Sequence, residues 1–161
     1  MLSYPIRLRP VILLLGDSLT QQGFGMNGGT GWASLLANAY SRRADVLNRG
    51  YSGYNSRHIC TRIVDSLFST HNEQVMLGTT STELLFCTIF LGANDAALPG
   101  ERQHVPIDEY EANLGTIITS IRSVCMYDCS ESEVSAVWIS RRKKSTKFLT
   151  PFLLFFSYID R

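Results

Sequence analysis

The 161-residue sequence contains no apolar run approaching the roughly 20 residues that a membrane-spanning helix requires, and no Asn-x-Ser/Thr acceptor site. It also lacks a dominant charge. Fifteen Lys and Arg against fourteen Asp and Glu leave a formal charge of +1, so no global field points to nucleic acid or an acidic surface. The four cysteines, Cys60, Cys87, Cys125 and Cys129, form no CxxC pair and no Cys/His cluster, which argues against a zinc motif and for free thiols in a reducing compartment. Arg7 and Arg9 ahead of an aliphatic run imitate a signal peptide. The run is short, has no small-residue cleavage site and ends in Gly-Asp-Ser, so it reads as a strand of a cytoplasmic protein. No motif calls for a metal or an organic cofactor, and the length suits one domain with its own core.

What the sequence does have is Val11 to Thr20, VILLLGDSLT, where consecutive aliphatics without polar alternation predict a parallel strand covered on both faces. Such a strand delivers Ser18 to its carboxyl end, where ligands of open α/β sheets collect, and makes it a candidate nucleophile. The alternative for Ser18 is a helix N-cap. Gly23, Gly25 and Gly28 satisfy GxGxxG, but they follow the strand too late for a dinucleotide fingerprint and read as a mobile Gly-rich loop. Trp32, Leu35, Leu36, Ala39 and Tyr40 have the spacing of an amphipathic helix, and Asp45 to Asn48 reads as a second strand leading into a Gly-containing turn at 49–55. Ile59, Ile63, Val64 and Leu67 predict a further helix before the polar, turn-like stretch 71–82. Leu84 to Leu91 repeats the buried-strand pattern and ends in Gly92-Ala93-Asn94-Asp95, so a second apolar run presents polar side chains at the same sheet edge. Asp108 with Glu111 predicts a capping box for a helix whose apolar face is Tyr110, Leu114, Ile117, Ile118 and Ile121. Val134 to Ile139 reads as another strand, followed by a basic run from Arg141 to Lys147 and an apolar tail interrupted by Pro151.

GDSLT at 16–20, NRGYSGYNSR at 48–57 and GAND at 92–95 resemble the first three blocks of the GDSL/SGNH hydrolases. VILLLGDSLTQ, GWASLLANAYSRRADVLNRGYSGYNSR, TIFLGANDAAL and QHVPIDEYEANL are similar to their isoamyl acetate-hydrolysing esterase branch. The resemblance covers 5–57 and 88–124. It implies an α/β, three-layer flavodoxin-like fold with a parallel sheet, incomplete at the C-terminus, and hydrolysis of short carboxylic esters. Ser18 is implied as the nucleophile, with the backbone N–H groups of Ser18 and Gly53 and the side-chain amide of Asn94 as the oxyanion hole. For Gly53 and Asn94 the alternative is turn geometry alone.

The family's fourth block, DxxH, which supplies the general base and its orienting Asp, is absent from these residues, and the three histidines are His58, His71 and His104. His104 lies in a non-catalytic part of the esterase pattern. His58, close after Gly53, is the one candidate surrogate base. The expectation is a chain of weak or no activity, with a hydrolase-like domain at 1–140 (atypical over 58–83) and a basic, aromatic tail at 141–161. A truncated or alternative product of an esterase gene would have this character. Expected partners are a small-molecule ester, with neither nucleic acid nor membrane; the acyl and alcohol groups and the oligomeric state stay open. Two alternatives keep the pocket or the tail in use: a non-catalytic binding or regulatory protein, and a peripheral membrane protein whose residues 141–147 meet anionic headgroups.

Overall fold

The computed structural model describes residues 9–69 and 84–125. In chain order these form strand β1 (Val11–Gly16), helices α1 (Ser18–Gln21) and α2 (Trp32–Ala39), strand β2 (Asp45–Gly50), and helix α3 (Ser56–His58), which continues through a π-helix (Ile59–Ile63) into α4 (Val64–Ser69). Strand β3 (Leu84–Phe90) and helix α5 (Ile107–Cys125) follow. The sheet has the order β2-β1-β3 and is parallel throughout.

β1 lies between the other two strands, and all its residues are buried, which is why its sequence shows no alternation. Successive side chains still go to opposite faces. Leu13 and Leu15 join a core with Ile59, Leu67, Ile89 and Ile117 beneath α4 and α5, whereas Ile12 and Leu14 pack with Ala33 and Ala44 beneath α2. Helices therefore cover both faces, giving the three layers expected. β2 is the more exposed strand, and Asp45 at its start pairs with Arg9 at 2.6 Å, a solvated contact of little energetic weight.

Several local expectations shift. In α2 the sheet-facing residues are Ala33, Leu36 and Tyr40, whereas Trp32 and Leu35 are exposed. The small Ala33 lets the helix approach the sheet, and Trp32 is held outside by donating its Nε1–H to the Leu19 carbonyl at 3.2 Å. The glycine-rich loop is closed on itself, with Gly25 donating to Gln22, Gly29 to Met26, Gly31 to Phe24 and Ala33 to Gly23. The helix after the 49–55 turn starts at Ser56, capped by the Asn55 side chain, which accepts from His58 N–H at 3.0 Å. Asp108 is not the cap of α5. The Tyr110 N–H bonds to the Pro106 carbonyl at 2.8 Å, so the helix starts at Ile107, and Asp108 and Glu109 lie in its first turn, favourably placed against the helix dipole. The polar stretch 71–82, the strand expected at Val134 to Ile139 and the tail lie outside the described residues.

The feature that positions the site is the approach of α1 to the strand ends. Gly16 and Gly50 face each other in register on β1 and β2. A Cβ on Gly50 would overlap the backbone nitrogen of Gln21, and one on Gly16 would overlap the Thr20 hydroxyl and the Phe90 carbonyl. Gly50→Ala should therefore lower unfolding stability by about 1–3 kcal/mol. The check is urea denaturation, with a lowered midpoint and an unchanged m-value.

Candidate active site

Ser18 is the first residue of α1, and Asp17 is its cap: the buried Asp17 carboxylate accepts from Leu19 N–H at 2.9 Å. The capping role considered for Ser18 thus belongs to its neighbour, and the Ser18 hydroxyl bonds to no group among the described residues. The turn is anchored to both neighbouring strands. Tyr51 N–H donates to the Gly16 carbonyl at 2.9 Å, and Asp17 N–H donates to the Phe90 carbonyl at 3.3 Å. Asn48 clamps α1 from β2, donating its amide to the Thr20 carbonyl at 2.7 Å while its carbonyl accepts from Gly50 N–H at 2.9 Å. The Gln21 side chain returns the link by accepting from Ser52 N–H at 2.6 Å.

The segment carrying Gly53 is joined in turn to the one carrying Asn94. The Asn94 amide donates to the Tyr54 carbonyl at 2.7 Å, and Asp95 accepts from Ser56 N–H at 2.9 Å. Gln103 donates to the Gly53 carbonyl at 2.8 Å and accepts at its own carbonyl from the Asn55 amide at 3.0 Å. Ser18, Gly53 and Asn94, each following a different strand of the parallel sheet, are thereby gathered on the rim at its carboxyl end. Gly53 has φ +78°, a conformation that suits glycine. Among the described residues the backbone N–H groups of Ser18 and Gly53 donate to no protein acceptor. The Asn94 amide has two N–H bonds, and the contact with Tyr54 engages one.

The histidines are placed elsewhere. His58 Nδ1 faces the Asn55 N–H at 3.4 Å, completing the cap of α3, and its ring leans on Tyr54 with centroids 5.2 Å apart. His104 Nδ1 bonds to the Ala97 carbonyl at 2.7 Å. His71 lies outside the described residues. Neither described histidine hydrogen-bonds to Ser18, which removes the geometric support for His58 as a surrogate base. Among the described residues no group of three metal-ligating side chains converges.

Burial pushes the Asp17 carboxyl above its ordinary 3.8; the Leu19 N–H opposes this, and the charge of Asp95 adds to it. Asp17 and Asp95 each keep one buried oxygen without a partner. Burial, followed by the fields of Arg62, Arg102 and Arg57, holds the His58 imidazole below its ordinary 6.5. Arg57 is engaged with Glu109 through paired contacts, one at 2.6 Å, which raise the guanidinium and lower the carboxyl. Asn48, Gln21 and Gln103 were not legible as parts of the site. They act through side chain to backbone bonds across 28 to 50 residues of sequence, and although each stands at an end of a stretch that resembles the family, nothing in those stretches shows which distant backbone group it meets.

The fold is that of the SGNH hydrolases. The SGNH-family esterase AlinE4 superposes with a TM-score of 0.56 at 22% identity, over 84% of this chain and 61% of that one. The GDSL-like lipase/acylhydrolase family model matches residues 14–143, and the chain belongs to that family. The match takes in the 58–83 stretch and runs past Val124, where the motifs alone suggested that the resemblance ends. A GDSL esterase/lipase of Arabidopsis thaliana is 47% identical over 118 residues, which are 71% of this chain and 44% of that protein. The isoamyl acetate-hydrolyzing esterase 1 homolog of Rattus norvegicus is 43% identical over 122 residues, 73% of this chain and 43% of that protein. The chain thus spans less than half the length of these curated relatives.

A carboxyl whose folded pKa is raised binds more protons folded than unfolded, so its stabilising contribution is present below the unfolded value and lost as pH rises through the folded one. Asp17→Asn keeps a side-chain acceptor for the Leu19 N–H and removes that loss. Its urea midpoint relative to the parent should climb as pH rises from about 3.8, the value from which Asp17 is raised. A pH-independent difference would contradict the assignment.

Proposed function

We propose that the rim carries serine ester-hydrolase chemistry, with Ser18 as nucleophile and the N–H groups of Ser18, Gly53 and Asn94 receiving the developing oxyanion. The observation that carries this reading is that two backbone N–H groups and one amide N–H remain uncommitted on the same sheet edge as a hydroxyl with no partner among the described residues. Donors fixed before reaction stabilise charge that appears only in the transition state, and each is worth roughly a hundredfold or more in rate. Ser18 Oγ would bond to the acyl carbon as the carbonyl π pair moves onto oxygen; collapse then expels the alcohol and leaves an acyl-enzyme for water to cleave. Short acyl esters, of the kind named for the mammalian relatives, are the substrates favoured.

The proton leaving Ser18 needs an acceptor, and these 161 residues contain no DxxH. Removing the base from a serine hydrolase costs about six orders of magnitude in kcat, leaving ~10³ to 10⁴ over water from binding and the oxyanion hole. That absence favours a second reading for the chain taken alone, in which it binds an ester or a product carboxylate without appreciable turnover. Hydrolysis of a short-chain nitrophenyl ester by this chain should stay at or below the residual level, and robust turnover would overturn the dependence on a missing base. Prolonged exposure to a fluorophosphonate probe should label the parent and not Ser18→Ala; equal labelling of both would remove Ser18 as nucleophile. Asn94→Ala should slow that labelling by roughly a hundredfold if its amide serves the oxyanion.

A further inference from the structure

Against the Gly53 turn lies a cavity of about 590 Å³ bordered by Gly53, His58, Arg62, Glu101, Arg102 and Gln103. Its two guanidiniums come from different parts of the chain. Arg62 stands on the π-helix, in which the Val64 N–H reaches back to the Ile59 carbonyl, and Arg102 belongs to the turn closed by His104 N–H on the Glu101 carbonyl at 3.0 Å. Wide turns of this kind are rare and concentrate at functional sites. The two segments are held together by uncharged groups, namely the Gln103 bond to the Gly53 carbonyl and the Asn55 bond to the Gln103 carbonyl. Like charges brought to one cavity disfavour each other, and among the described residues Glu101 is the only carboxylate in its lining. Arg57, nearby, is already neutralised by Glu109, whereas neither Arg62 nor Arg102 forms an ion pair with a described residue. His58 cannot supply a negative charge, and Asp95, which is buried and accepts from Ser56 N–H, is not among the residues that line the cavity.

We propose that this cavity is an anion site, in which Arg62 and Arg102 together grip a carboxylate or phosphate group of a small ligand. Guanidiniums present paired N–H donors in the planar geometry that either oxyanion accepts. The site does not depend on turnover at Ser18. A bound ligand would contact the Gly53 turn through the lining residues Gln103 and Gly53 themselves.

The test is calorimetric titration of the 161-residue protein at low ionic strength with inorganic phosphate in one arm and succinate in the other. Saturable binding in either arm is expected, and the tighter arm identifies the anion. Arg62→Ala and Arg102→Ala should each weaken it by about tenfold or more. Arg122→Gln, which removes the same charge from the exposed last turn of α5, should leave it unchanged. Histidine NMR signals assigned by His58→Gln should shift with saturation, whereas a structural role for the arginines would move no signal on titration. No saturable heat in either arm, full retention in both alanine variants, or equal loss in Arg122→Gln would overturn the proposal.

Discussion

Helix α1 can rest on the ends of β1 and β2 only because Gly16 and Gly50, paired across the strands, leave space where side chains would stand. Everything at the rim depends on that approach. With α1 seated, the Thr20 carbonyl comes within reach of Asn48 and the Gln21 side chain within reach of Ser52, so the turn that bears Ser18 is fixed to the turn that bears Gly53. A helix of four residues has little stability of its own, since nucleation costs more than one turn repays. The cap from Asp17 and the clamp from Asn48 supply what propensity does not.

The arrangement carries an energetic burden of a kind common at functional sites. Asp17 and Asp95 are both nearly fully buried, and each leaves an oxygen unpartnered next to a core of aliphatic side chains. Burial of the Asp17 carboxylate disfavours its charged form, which is the physical source of its raised pKa. The surrounding aliphatics offset the cost. β1 buries Ile12, Leu13, Leu14 and Leu15 completely, and each such side chain contributes about 1.5–3 kcal/mol of hydrophobic stabilisation.

Charge is divided along the helical segment that follows the Gly53 turn. Arg57 is drawn into a forked pair with Glu109 and ties α3 to α5, and Asn113 adds a bond to the Ser56 hydroxyl at 3.1 Å. Two residues later the chain widens into a π-helix, and Arg62 is presented beside His58, whose imidazole is held below its ordinary pKa by burial and by the neighbouring cations. The same segment therefore fastens the rim through Arg57 and leaves positive charge at Arg62.

Much of this was legible in the sequence, for reasons of short range. The aliphatic run at 11–15 and the largely apolar run at 84–91 pointed to the strands, and the helical spacing from Tyr110 to Ile121 to the long helix, because burial of a continuous face leaves a period that no local turn can imitate. Ser18, Gly53 and Asn94 stood out because each ends or follows such an element inside a recognisable block. Only the tertiary structure decided that Asp17 and not Ser18 is the cap, that α2 turns Ala33 rather than Trp32 to the sheet, and that Asn48, Gln21 and Gln103 hold the rim together. Those outcomes depend on which backbone groups distant segments leave unpaired once the strands are in register, and no pattern within one segment records that.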